Sequence, residues 1–189
     1  MDAVENLNVI NKYSLDLSLW LDDYDDIYSD FDSRNYLKRR ISSDFISELK
    51  MSLNNRSQNI NDLILLLPHE KRNINTEQKI TRNLINYFTQ QLQFYHSKYQ
   101  KNLKKGLILF IVAIIIMILN SVVSSNLNNN LLASIIRIVL EPSGWFLIWV
   151  AFDILYYDLK EIKKEKYFFR ELAGIKIFFQ SSESYMGNE

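Results

Sequence analysis

The chain contains no cysteine, which removes disulfides, zinc fingers, thiol catalysis and iron–sulfur clusters in one step. Glycine is nearly as scarce: Gly106, Gly144, Gly174 and Gly187 are the only four, and none precedes residue 106. Phosphate-cradling loops and dinucleotide-binding turns need glycine for left-handed backbone and close approach. The N-terminal half has none to offer. Histidine occurs only as His69 and His96, so there is no HExxH pair and no local metal triad. The opening Met1-Asp2-Ala3-Val4-Glu5 is acidic and lacks the apolar core of a signal peptide. The first apolar run is therefore expected to serve as its own insertion signal.

What the chain does have is two long apolar runs. Gly106 to Val123 is 18 residues without a charge. At a rise of ~1.5 Å per residue, a helix of that length covers the ~30 Å hydrocarbon core of a bilayer. The run is too long for a core strand and too uniformly apolar for one face of a surface helix. The second run, Leu131 to Tyr157, is interrupted by Arg137, Glu141 and Asp153. Residues 124–130 between them, SSNLNNN, are short and uncharged. Lys98, Lys101, Lys104 and Lys105 precede the first run; Lys160, Lys163, Lys164 and Lys166 follow the second. Positive flanks stay inside, which places both ends in the cytoplasm and the loop outside the cell membrane. The expected fold class is a mostly α membrane protein: a two-helix transmembrane hairpin with a small cytoplasmic α+β domain.

Charge balances overall but is unevenly spread. Residues 1–32 carry nine acids against Lys12 alone, and residues 33–105 carry 14 Lys and Arg against five acids. Residues 1–13 read as a loose lead-in to a cytoplasmic helical domain over 14–105. From Ser14 as N-cap, Leu17, Trp20, Leu21, Tyr24, Ile27, Tyr28 and Phe31 recur at steps of three and four. That spacing predicts an amphipathic helix with Asp22, Asp23, Asp26 and Asp30 on its wet face. If it ends near Asp30, then Asp26, Asp30 and Asp32 can converge as hard oxygen ligands for a divalent cation, Ca²⁺ or Mg²⁺. No other cofactor is implied. Alternatively, Arg34, Lys38, Arg39 and Arg40 clasp these carboxylates within the chain or between subunits.

Ser42 or Ser43 is expected to cap a second helix, SDFISELKMSL. The run Asp62 to Leu67, ended by Pro68, predicts a short buried strand, and His69 after it reads as a loop residue. Asn75 with Gln78 resembles a capping box, starting a long helix at about residue 76 that runs into the membrane. Ile80, Leu84, Phe88, Leu92, Tyr95 and Tyr99 form its apolar stripe. Beyond the second span, a cytoplasmic tail over 161–180 holds a helix stopped by Gly174 and a strand over 175–179. That strand is expected to pair with Leu63–Leu67, giving one two-stranded pairing, because a lone strand leaves its backbone groups unsatisfied. Residues 181–189 are expected to be disordered.

Glu141-Pro142-Ser143-Gly144-Trp145 is the most unusual local sequence, since proline and glycine two apart break or bend a helix. One outcome is an interfacial helix over 131–141, with Arg137 and Glu141 paired one turn apart. The true span would then cover 143–160, with Trp145 and Trp149 near the outer surface and Tyr156 and Tyr157 at the inner one. The other outcome is a single kinked helix over 131–157. An ionisable group inside the bilayer costs ~2.5–3.5 kcal/mol, so Asp153 is expected to protonate, snorkel or meet another subunit.

Leu19-Trp20-Leu21-Asp22-Asp23-Tyr24-Asp25-Asp26-Ile27-Tyr28-Ser29-Asp30-Phe31-Asp32 and Glu141-Pro142-Ser143-Gly144-Trp145-Phe146, with Trp149 and Asp153, resemble a family of small, uncharacterised prokaryotic two-span membrane proteins. The resemblance runs over about residues 15–180 and implies no activity. Where that family has a glycine soon after the second tryptophan, this chain has Val150 and Ala151.

Three functions fit these residues. The leading expectation is a non-enzymatic sensor, scaffold or membrane effector, oligomeric in the bilayer. A second is an oligomeric ion-conducting pore gated by the cytoplasmic domain, with Asp153 and Glu141 in its path. A third is a metal-dependent enzyme using the Asp cluster, for which no nucleophile, histidine cluster or phosphate loop is recognisable. The expected partners are the lipid bilayer and further copies of the chain; neither nucleic acid nor a small-molecule substrate is indicated.

Overall fold

The computed structural model describes residues 17–54, 62–126 and 131–183. The expected lead-in over 1–13, residues 127–130 of the expected loop and the tail from 184 lie outside them. The described chain is mostly helical, with two long apolar helices and a small three-stranded parallel sheet. It divides into two units: one takes the chain up to Leu92 together with Phe168 onward, the other is Gln93–Tyr167.

In the first unit, strands β1 (Leu17–Trp20), β2 (Asp62–Leu67) and β3 (Lys176–Ser181) lie side by side in that order. Leu17 pairs with Leu63, and Leu65 with Phe179. Leu63, Ile64, Leu65, Leu66 and Leu67 are all buried. A central parallel strand is covered on both faces, so it reads as an unbroken apolar run rather than an alternating one. Helix α1 (Ser43–Asn54) starts at Ser42, whose hydroxyl accepts the Asp44 N–H at 3.2 Å, and it buries Phe45 and Leu49. Helix α2 (Ile74–Asn126) adds Ile80, Leu84 and Phe88 to the same core. After α3 (Leu131–Asp153) and a π-helical turn (Ile154–Asp158), helix α4 (Leu159–Gly174) returns Phe168, Phe169 and Leu172 to it.

Several expectations are corrected. No amphipathic helix forms over residues 17–31: the stretch opens on β1, and only a 3₁₀ turn, Tyr24–Ile27, follows, while the expected Ser14 cap lies outside the described residues. Leu17 and Ile27 are buried, whereas Phe31 is 96% exposed. The aspartates explain the failure. Asp26 Oδ2 accepts the backbone N–H groups of Asp22 at 2.7 Å and Asp23 at 3.0 Å, so the side chain takes donors a helix would use. The sheet consequently has three strands in place of the single two-stranded pairing, although the 63–67 with 175–179 contact is present and parallel.

Helix α2 is capped by Asn73, not Asn75, its Oδ1 accepting the Thr76 N–H at 3.2 Å. Residues 181–183 are ordered against the core: Ser181 and Ser182 are buried, and the Glu183 carboxylate accepts the His69 N–H at 3.2 Å. Helix α3 does not break at Pro142 and Gly144, so an interfacial helix ending at Glu141 is not formed. Proline removes one N–H from the ladder. Beside the gap, the Ser143 hydroxyl donates to the Val139 carbonyl at 2.6 Å.

Candidate functional site

The second unit is built on two helices that approach closely where side chains are smallest. A Cβ on Gly106 of α2 would lie 2.6 Å from Leu155 Cδ2, and one on Gly144 of α3 would lie 2.8 Å from Met117 Cγ. Residue 106 thus sits against 155 while 144 sits against 117, which makes the pair antiparallel. Ala113 and Ala151 are fully buried. Gly106 and Ala113 are one heptad apart, as are Gly144 and Ala151. Small residues at that spacing let two backbones close on each other along a continuous seam. Ala151, standing where a glycine was expected from the resemblance, still packs at zero exposure.

One heptad further along each helix the seam ends in a polar residue: Asn120 on α2 and Arg137 on α3. Asn120 Oδ1 and Arg137 Nε are both buried without a hydrogen-bond partner. Asn120 was not singled out from sequence; its only signal is its heptad offset from Gly106 and Ala113. The expected Arg137–Glu141 pair is absent among the described residues, because Arg137 shares the seam positions of Gly144 and Ala151 while Glu141 is exposed. Asp153 is exposed, immediately before the π-helical turn. Around it lie the expected interfacial aromatics. Trp149 packs edge-on to Phe152, Phe152 stacks on Tyr156 at 5.3 Å, and Tyr156 meets Tyr157 edge-on at 5.0 Å. Trp145 and Trp149 are also largely exposed.

The three aspartates nominated for a cation are put to separate uses in the first unit. Asp26 closes the turn described above. Asp32 accepts Arg34 Nε at 2.8 Å and the Arg40 N–H at 2.8 Å, and the Arg34 guanidinium holds its carboxyl far below the ordinary range. Asp30 is exposed. Asp25 takes Arg39 at 2.5 Å and Asp23 takes Lys71 at 3.1 Å, so arginine and lysine occupy the acidic segment. Among the described residues no group of three or more Asp, Glu or His is placed to hold a metal ion.

A second polar cluster ties the 3₁₀ turn to the start of α2. Arg72 pairs with the buried Glu77 through two bonds of 2.9 and 3.0 Å, the Tyr24 hydroxyl donates to Glu77 at 3.1 Å, and the Asn73 N–H donates to that hydroxyl at 2.7 Å. Burial pushes the Tyr24 phenol up. Each member has a partner, which is the arrangement of a structural clasp.

Two helices are long and apolar enough to cross a membrane, Ile74–Ser125 and Ser134–Gly174. Only 11% and 17% of their apolar windows are buried. Comparison with protein-family models, curated proteins and solved structures finds no match to this chain.

Proposed function

We propose that this chain is an integral membrane protein crossing the bilayer twice, through the apolar parts of α2 and α3, with the first unit and both tails in the cytoplasm. In this reading it is not an enzyme but an oligomeric sensor, scaffold or membrane effector. The observation that carries the reading is the exposure of its most apolar surface. The core helix of a soluble domain buries its apolar face. Here Leu107, Ile108, Ile111, Ile115 and Leu119 on α2 and Ile138, Phe146 and Trp149 on α3 all face outward. A contiguous apolar surface of this extent calls for lipid or protein against it. The closely packed seam supports the hairpin, since small residues are what drives helix pairing where the surroundings are as apolar as leucine.

The absence of cysteine makes the topology directly measurable. In the full chain, Ser125→Cys is expected to react with a membrane-impermeant maleimide in intact cells, and Ser47→Cys only after permeabilisation. Both serines are exposed, so accessibility reads topology and not burial. Labelling of Ser47→Cys from outside, or recovery of the protein in the soluble fraction without detergent, would refute the reading.

A further inference from the structure

The charges from the end of the π-helical turn into α4 are sorted by face. Asp158, Glu161 and Glu165 gather with Tyr95, Lys98 and Asn102 of α2 around a concavity of about 310 Å³. Lys160, Lys163 and Lys164 turn the other way, where with Tyr157, Tyr167 and the edge of Glu161 they line a trough of about 600 Å³. The two tyrosines are 59% and 52% exposed, so their rings form wall rather than core. The wall of this trough is almost wholly apolar, made by rings and alkyl stems, and three of the side chains that line it are lysines, whose stems can lie on apolar surface while their ammonium groups reach water. None of them carries an ion pair among the described residues. Lys166, by contrast, lies over the Tyr99 ring at 5.3 Å.

We propose that this trough binds an anionic glycerophospholipid, with its phosphate held by Lys160, Lys163 and Lys164 and its glycerol and first acyl carbons lying against Tyr157 and Tyr167. The proposal rests on the membrane reading above and names the lipid class that the cytoplasmic end of the hairpin selects. Two features point to a lipid over a free oxyanion. Lysines along an apolar wall match a molecule that is charged at one end and greasy at the other; a soluble phosphate would leave the wall in water. The lysines also begin two residues beyond the π-helical turn that ends the apolar run, within ~15 Å of Asp153 along the helix. In the proposed topology that is headgroup depth on the anionic leaflet.

The test uses the full chain, extracted in mild detergent from vesicles of phosphatidylcholine alone or mixed with phosphatidylglycerol, with retained lipids counted by native mass spectrometry. Phosphatidylglycerol is expected to stay bound in preference to phosphatidylcholine. Lys160→Gln with Lys163→Gln and Lys164→Gln should erode that preference by roughly fivefold per lysine. Replacing all three by arginine should keep it. Lys38→Gln with Lys79→Gln and Lys176→Gln removes the same charge from exposed positions of the first unit and should leave the preference intact. Equal retention of both lipids by the parent, an unchanged preference in the trough variant, or an equal loss in the control overturns the site. Displacement of the lipid by inorganic phosphate would overturn it too, in favour of a free oxyanion. Insertion is scored separately by resistance to alkaline extraction. A parent that inserts without lipid preference refutes the site and spares the topology; a parent that extracts freely refutes both.

Discussion

Tyr28 is 2% exposed, its ring lies under the Arg39 guanidinium at 5.4 Å, and its hydroxyl accepts from Asn83 Nδ2 at 3.5 Å. Burial pushes the phenol up to about 12 from its ordinary 10.0. Because the folded value lies above the unfolded one, this residue's contribution is complete below about pH 10 and is lost as pH rises toward 12. The rise from 10.0 to about 12 sets a ceiling of about 2–3 kcal/mol on that contribution. Alkaline titration followed by circular dichroism should therefore show unfolding between these values, with Tyr28→Phe flattening the slope. At the acid end the sign reverses. Asp32 and Glu183, the latter held at about 2 by the Ser181 hydroxyl, lose their folded-state advantage as pH falls below the ordinary carboxylate range.

At the scale of elements, the helix pair depends on what is missing from its seam. Gly106→Leu must displace Leu155, and Gly144→Leu must displace Met117. Each is expected to cost about 1–3 kcal/mol, read as a lowered melting temperature in detergent. Gly174→Leu, with nothing within 4 Å of the added Cβ, is the matched control and should cost less than either. The seam also shows where sequence patterns stop. Long uniform elements were legible: α2, the apolar stretch of α3, and β2 with its proline stop each show one dominant signal. Strand β1 was not, because Leu17, Trp20, Leu21 and Tyr24 satisfy a helical period equally well; its partner Leu63 lies far along the chain. At Pro142 the sequence allowed either a break or one continuous helix, and the structure takes the continuous helix through Leu131–Asp153. Of the nominated polar residues, Arg137 faces the seam and Asp153 is exposed, while the cation set Asp26, Asp30 and Asp32 required a helix end that does not exist.

At the scale of the whole molecule, the first unit is discontinuous: its central strand β2 ends at Leu67, and the neighbour that completes it, β3, begins at Lys176. Ending the chain after Gly174 would leave the β2 edge unpaired along Leu63–Leu67. The truncated protein should elute as aggregates on size exclusion, and its β2 amides should exchange with solvent far faster than in the full chain. An isolated fragment ending before Gly106 should fail in the same way, although every residue of β1 and β2 is present.

The ribosome adds a direction to this. Strand β3 is synthesised after both apolar helices, so the sheet cannot close during translation of the segment that contains β1 and β2. Until Lys176–Ser181 emerge, the nascent product carries an open sheet edge, the kind of surface that chaperones shield and proteases attack. Closure of that edge thus waits on Lys176–Ser181, so the order of synthesis ties completion of the sheet to prior synthesis of both apolar helices.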